Sequence, residues 1–151
     1  MCMGWSGRFW ATRTSLTGIR LARMIARVED VMEDRIRFIE HQGRQILLVD
    51  LSHCSTGEVE KISRLVPSYV TSEPRGSVLL LADFTGAEFD RSAIDRLKQG
   101  AVFDRPHLRR SAWVGIESLP KVFYEHIKSF SRRELPTFKT REEAMEWLVQ
   151  E

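Results

Sequence analysis

Two cysteines among 151 residues, Cys2 and Cys54, are too few for a disulfide framework. Their scarcity excludes the small secreted scaffolds that depend on one and makes a reducing cytoplasm the expected compartment. No run approaches the roughly 20 apolar residues of a membrane span, so no transmembrane segment is expected. An excess of one charge is missing as well. The net charge is +2, and five arginines in residues 1–31 (Arg8, Arg13, Arg20, Arg23, Arg27) against Glu29 and Asp30 account for +3. That leaves 18 basic and 19 acidic residues over 32–151. A neutral globular part lacks the basic surface that phosphate backbones require, which argues against a nucleic-acid binder. His41, His107 and His126 have no metal-ligand spacing with a cysteine or carboxylate, and Gly86, Gly100 and Gly115 form no phosphate-cradling loop. Neither metal nor cofactor is expected.

What is present is an apolar run ending in aspartate and a hydroxyl residue, and it occurs twice. Ile46-Leu47-Leu48-Val49-Asp50-Leu51-Ser52 and Val78-Leu79-Leu80-Leu81-Ala82-Asp83-Phe84-Thr85-Gly86 each read as a buried strand that delivers polar groups where it stops. In open α/β sheets, ligands and partners are met at the C-terminal ends of the strands. These runs therefore mark a working edge, with Asp50 and Ser52 as a second strand-end site beside Asp83 and Thr85.

The chain reads as one α/β domain, residues 32–151, preceded by an extension of different character. Residues 1–31 are rich in Arg, Ser, Thr and Gly and carry Trp5 and Trp10 without apolar patterning. They contain no continuous apolar stretch of the secretory type. A translation start misassigned upstream of Met32, a flexible or helical arm, and an Arg-rich targeting segment are the three readings. Apolar residues between Ser15 and Val31 recur at helical spacing.

From Arg35 the pattern is regular. Arg35–Glu40 and Gln45–Leu51 flank His41-Gln42-Gly43-Arg44 as a predicted antiparallel hairpin. Ser55 and Glu58 have capping-box spacing and open a helix with Val59, Ile62, Leu65, Val66, Tyr69 and Val70 on one face, in which Pro67 predicts a kink or a break. Strand Ser77–Asp83 leads through a loop to a helix over Arg91–Phe103, capped by Asp90, with Ala93, Ile94, Leu97, Ala101 and Val102 inward. Strand Ser111–Ile116 precedes a helix capped by Ser118 that carries Leu119, Val122, Phe123, Ile127 and Phe130. Thr137–Lys139 predicts a short last strand, and Thr140 with Glu143 caps a terminal helix held by Ala144, Trp147 and Leu148. The order ββαβαβαβα predicts a mixed sheet of about five strands, a hairpin followed by βα units, covered by about four helices.

The segment from Val78 to Ile94 resembles the strand–loop–helix of STAS domains, whose usual pattern is an apolar run, Asp-Leu-Ser-Gly, an apolar and a variable residue, then an aromatic, Asp-Ser-Ser-Gly and a helix. Residues from about Met32 to Glu151 are similar to the SpoIIAA-like branch, which joins bacterial anti-sigma-factor antagonists to relatives of CRAL-TRIO lipid-binding domains. The resemblance implies a non-enzymatic regulatory module that acts by binding. It is expected to engage a protein partner, through Asp83, Thr85, Glu88, Asp90 and Ser92, the alternative being a carrier or sensor of an apolar small molecule or lipid in a pocket between sheet and helices. In the antagonists a serine at the helix start is phosphorylated, altering charge at a helix N-terminus. Ser92 is the nearest equivalent, although Asp90-Arg91-Ser92-Ala93-Ile94 lacks the serine pair.

The remaining candidates have simpler structural readings. His53 and Cys54 are adjacent, and adjacent side chains on an extended chain diverge, which disfavours a base–nucleophile pair. Asp50 and Asp83 have the positions of paired acid/base carboxylates, yet strand-end aspartates commonly accept from local backbone N–H groups. Arg105-Pro106-His107-Leu108-Arg109-Arg110 and Arg132-Arg133 read as solvated loops, or as surfaces for an acidic partner or phospholipid headgroups.

Overall fold

The computed structural model describes residues 34–131 and 135–150. Five strands, β1 (Ile36–His41), β2 (Arg44–Asp50), β3 (Val78–Asp83), β4 (Leu108–Val114) and β5 (Thr137–Phe138), form one sheet in the order β1-β2-β3-β4-β5. β1 and β2 pair antiparallel, and every later pairing is parallel. Helices α1 (Thr56–Thr71), α2 (Arg91–Asp104) and α3 (Lys121–Ser131) make the crossovers, and α4 (Arg141–Val149) follows the last strand. The fold is thus the expected α/β arrangement of hairpin and βα units. The start at Met32, the helical spacing over Ser15–Val31, Arg132-Arg133 and the side chain of Phe130 lie outside the described residues.

The hairpin is tighter than its sequence suggests, because both strands extend to pair His41 with Arg44. Only Gln42 and Gly43 remain as the turn, with φ of 51° and 76°. Left-handed backbone at both central positions is the type I′ geometry, whose twist matches that of the flanking strands.

Alternation along the strands divides the core into two layers. Ile46, Leu48, Leu79, Leu81, Ala112 and Val114 pack with Ala144 and Leu148 of α4 on one face. The intervening residues, among them Val49, Leu80, Ala82 and Trp113, face the crossover helices. Burial on both faces explains why β2 and β3 read as unbroken apolar runs rather than alternating ones. The exposed end of α4 is tied down by Arg110, which donates to the carbonyls of Trp147 and Gln150 at 2.7 Å each and lies 4.6 Å from the Trp147 ring centroid.

Several helix details depart from expectation. α1 runs without interruption through Pro67. A proline inside a helix costs about 3 kcal/mol, but the fully buried Val59, Ile62 and Val70 lie on both sides of it and contribute about 1.5–3 kcal/mol each. Ser118 caps no α-helix: Ile116–Ser118 form a single 3-10 turn and α3 starts after Pro120. Phe123 and Ile127, four apart, set the inward face of α3, leaving Val122 70% exposed. α2 continues to Asp104, with Ala93, Leu97, Ala101 and Asp104 inward at helical spacing, so Val102 is turned to solvent. The basic run at Arg105–Arg110 is only partly loop, since Leu108 opens β4 and is buried.

Candidate functional site

Asp50 and Asp83 end neighbouring parallel strands in register, at the same end of the sheet. Each folds the chain behind it into the same turn. Asp50 Oδ1 accepts from the Ser52 backbone N–H at 3.0 Å and its hydroxyl at 2.5 Å; Asp83 Oδ1 accepts from the Thr85 N–H at 3.0 Å and its hydroxyl at 2.6 Å. Aspartate adopts such turns because its short side chain reaches the N–H two residues on. Arg141 at the start of α4 meets both carboxylates: its Nε donates to Asp83 Oδ2, the oxygen outside the turn, at 2.6 Å, and its Nη2 lies 3.0 Å from Asp50 Oδ1, the oxygen that also holds Ser52. Arg35 adds a donor to the Ser52 carbonyl at 2.8 Å. Burial raises the Asp50 carboxyl, but the Ser52 hydroxyl and N–H and the Arg141 charge outweigh it and hold the group below its ordinary value. Carboxylates engaged in this way anchor the turns; neither is arranged as a free general base.

The loops beyond these turns are stitched into one ledge. His53 N–H donates to the Thr85 carbonyl at 2.8 Å, Glu88 N–H to Cys54 at 2.9 Å, and Gly86 N–H to Ser118 Oγ at 2.9 Å. On this ledge Thr85, Glu88, Asp90 and Ser92 are exposed, whereas Asp83 is buried beneath them. Asp90 Oδ1 accepts from the Ala93 N–H at 2.8 Å, the N-cap role read from sequence, and Ser92 stands in the first turn of α2. His53 is exposed with a φ of 56°, while Cys54 is buried. Burial chiefly pushes the Cys54 thiol up to about 11, the opposite of nucleophile activation.

A second feature lies under the crossover helices. Between the sheet and α1, α2 and α3 is a cavity of about 730 Å3 of atom-free space, counting its mouth to solvent. Val49, Leu80, Ala82 and Trp113 form its floor, and Val66, Leu97, Ala101 and Ile127 come from the helices. An aromatic chain braces one wall: Phe84 lies 4.8 Å from Trp113 and 5.9 Å from Phe89, which is 6.4 Å from Phe123. Asp104 also lines this space, is 5% exposed, and has an Oδ1 with no hydrogen-bond partner among the described residues. Desolvation raises its carboxyl to about 7.

Asp104 was legible as an acid on the apolar stripe, seven residues after Leu97. Ending the helix at Phe103 conceals that spacing. Arg141 had no comparable signal, since its partners lie 58 and 91 residues earlier in the chain.

Compared with family models, curated proteins and solved structures, the chain has no match, so the STAS resemblance rests on the residues quoted for it.

Proposed function

We propose that this is a non-enzymatic binding domain that takes an apolar small molecule in the cavity beneath α1, α2 and α3. The observation that carries this reading is the cleft itself, open to solvent at its mouth and with predominantly apolar walls where the sheet and the crossover helices part. Ligand sites are mostly apolar with a few placed polar groups, a description that fits these walls and Asp104. Titration of the full chain with N-phenyl-1-naphthylamine tests the idea. One dye should bind per chain with enhanced emission, and Ala101→Trp, which fills the space from α2, should abolish binding while leaving cooperative melting. Absence of binding, or binding indifferent to Ala101→Trp in a folded protein, would remove the reading.

The protein-partner reading has its own support in the exposed Thr85, Glu88, Asp90 and Ser92 around one loop and helix start. It accounts for the edge but leaves the cavity unexplained. The strand-end Asp50 and Ser52 serve such a surface only from below, through the turn they build.

A further inference from the structure

Among the cavity's wall groups, those with defined hydrogen-bonding roles are unevenly matched. Ser63 is buried, and its hydroxyl donates to the Val59 carbonyl at 2.7 Å, so its oxygen faces its surroundings as an acceptor. Asp104 Oδ1 is buried and accepts from no donor among the described residues. Arg96 and Arg105 also border the cavity, but Arg96 is half-buried, with Nη1 on Gln99 Oε1 at 3.3 Å, and Arg105 is exposed. The lining also includes the buried Ser111 and Trp113, and within it Asp104 Oδ1 is the buried side-chain oxygen left without a donor among the described residues. A buried acceptor without a donor is costly, and a ligand that supplies the donor removes that cost on binding.

We propose that the molecule held in this cavity has an apolar body and one hydrogen-bond-donating group, an alcohol or an amine, and that Asp104 receives the donor. The inference rests on the cavity being a ligand site and adds the chemistry of the ligand's polar end. A carboxylate ligand is disfavoured, because its charge would meet that of Asp104 in apolar surroundings. An ether of the same shape fills the space equally but has no donor, leaving Oδ1 unpaired.

Calorimetric titration of the full chain at pH 9, where the Asp104 carboxyl is ionised, with 1-octanol, octylamine, 1-methoxyheptane and octanoate separates these cases. The alcohol and the amine should bind about ten-fold or more tightly than the ether, the range expected for a hydrogen bond to a charged group. Octanoate should be weakest. Asp104→Leu should bring alcohol and amine to the level of the ether. Asp104→Asn, which keeps shape and a carbonyl acceptor, should retain the alcohol and weaken the amine, and it serves alone if the leucine variant does not fold. Equal binding of ether and alcohol, tightest binding of octanoate, or a donor preference that survives Asp104→Leu would overturn the assignment while leaving the cavity a ligand site. Failure of all four probes to bind would overturn both.

Discussion

Asp50 stands opposite Asp83 in the β2–β3 register, and the guanidinium of Arg141 joins the two carboxylates from the first turn of α4. Two like charges ending adjacent strands would repel; the bridging cation turns the pair into the fixed base of a ledge. It also ties the helix covering one face of the sheet to turns that present loops toward the other.

Removing that cation should therefore be costly. Arg141→Met leaves the Asp83 side chain, 7% exposed, without its charged partner. Breaking a buried pair costs about 3–5 kcal/mol, and partial exposure of Arg141 and Asp50, 32% and 21%, reduces the expectation to about 2–3 kcal/mol. Arg141→Lys should recover no more than half, because a point charge cannot span both carboxylates as the planar fork does. Urea unfolding at pH 7 measures both. The Asp50 contribution is present above its ordinary 3.8 and lost as pH falls through its lowered folded value, so Arg141→Met should also flatten the acid limb of the stability curve. A loss under 0.5 kcal/mol, within the usual range for surface substitutions, would show that the bridge is incidental.

Gly115 and Gly43 have nearly the same φ, 72° and 76°, in different surroundings. A Cβ on Gly115 would lie 2.5 Å from the Thr85 nitrogen, whereas one on Gly43 would meet nothing within 4 Å. Gly43→Ala should cost only the left-handed strain, about 1–2 kcal/mol. Gly115→Ala adds a backbone clash across the ledge and should cost at least about 3 kcal/mol, read as a larger fall in melting temperature. Equal losses would mean that the loops separate freely.

Asp104 should make the protein less stable as pH rises. Its folded value of about 7 lies above the ordinary 3.8, so the folded state takes up a proton that the unfolded chain releases. Its contribution is intact below 3.8, declines toward 7, and is lost above it, a span of about 4 kcal/mol at 1.36 kcal/mol per pH unit. Asp104→Asn removes the titration. Stability of that variant, measured by urea unfolding from pH 4 to 8, should exceed that of the native chain most at pH 8, with the gap closing toward pH 4. A gap constant with pH would show that the native carboxyl does not titrate in this range.

The architecture was legible because continuous apolar runs, capping residues and Gly43 are local signals that agree with the fold they produce. Asp50 and Asp83 at one end of the sheet followed from repeated βα direction alone. What stayed hidden was long-range: Arg141 and Ser118 have no local pattern that discloses partners dozens of residues away. Pro67 misled in the other direction, since a local rule was overridden by burial on both sides of it. Asp104 lies between these cases, its helical spacing visible but obscured by a boundary placed one residue early.

Ser92 separates the ledge from the cavity as the working surface. It is exposed in the first turn of α2, so Ser92→Asp places a carboxylate beside a helix N-terminus, where it should stabilise by about 0.3–1 kcal/mol. Any interface over that turn would have to desolvate the new charge without a counterpart, and partner binding should weaken. Cavity binding has no such sensitivity, since Ser92 is absent from its walls. The expected result is a melting temperature unchanged or slightly raised, with N-phenyl-1-naphthylamine bound at native strength, against loss of the dye in Ala101→Trp. Recovery of proteins co-purified from the native host is followed for both variants. If Ser92→Asp strips a stoichiometric partner that Ala101→Trp retains, while the dye binds neither variant nor the native chain, the ledge is the functional surface and the cavity reading fails.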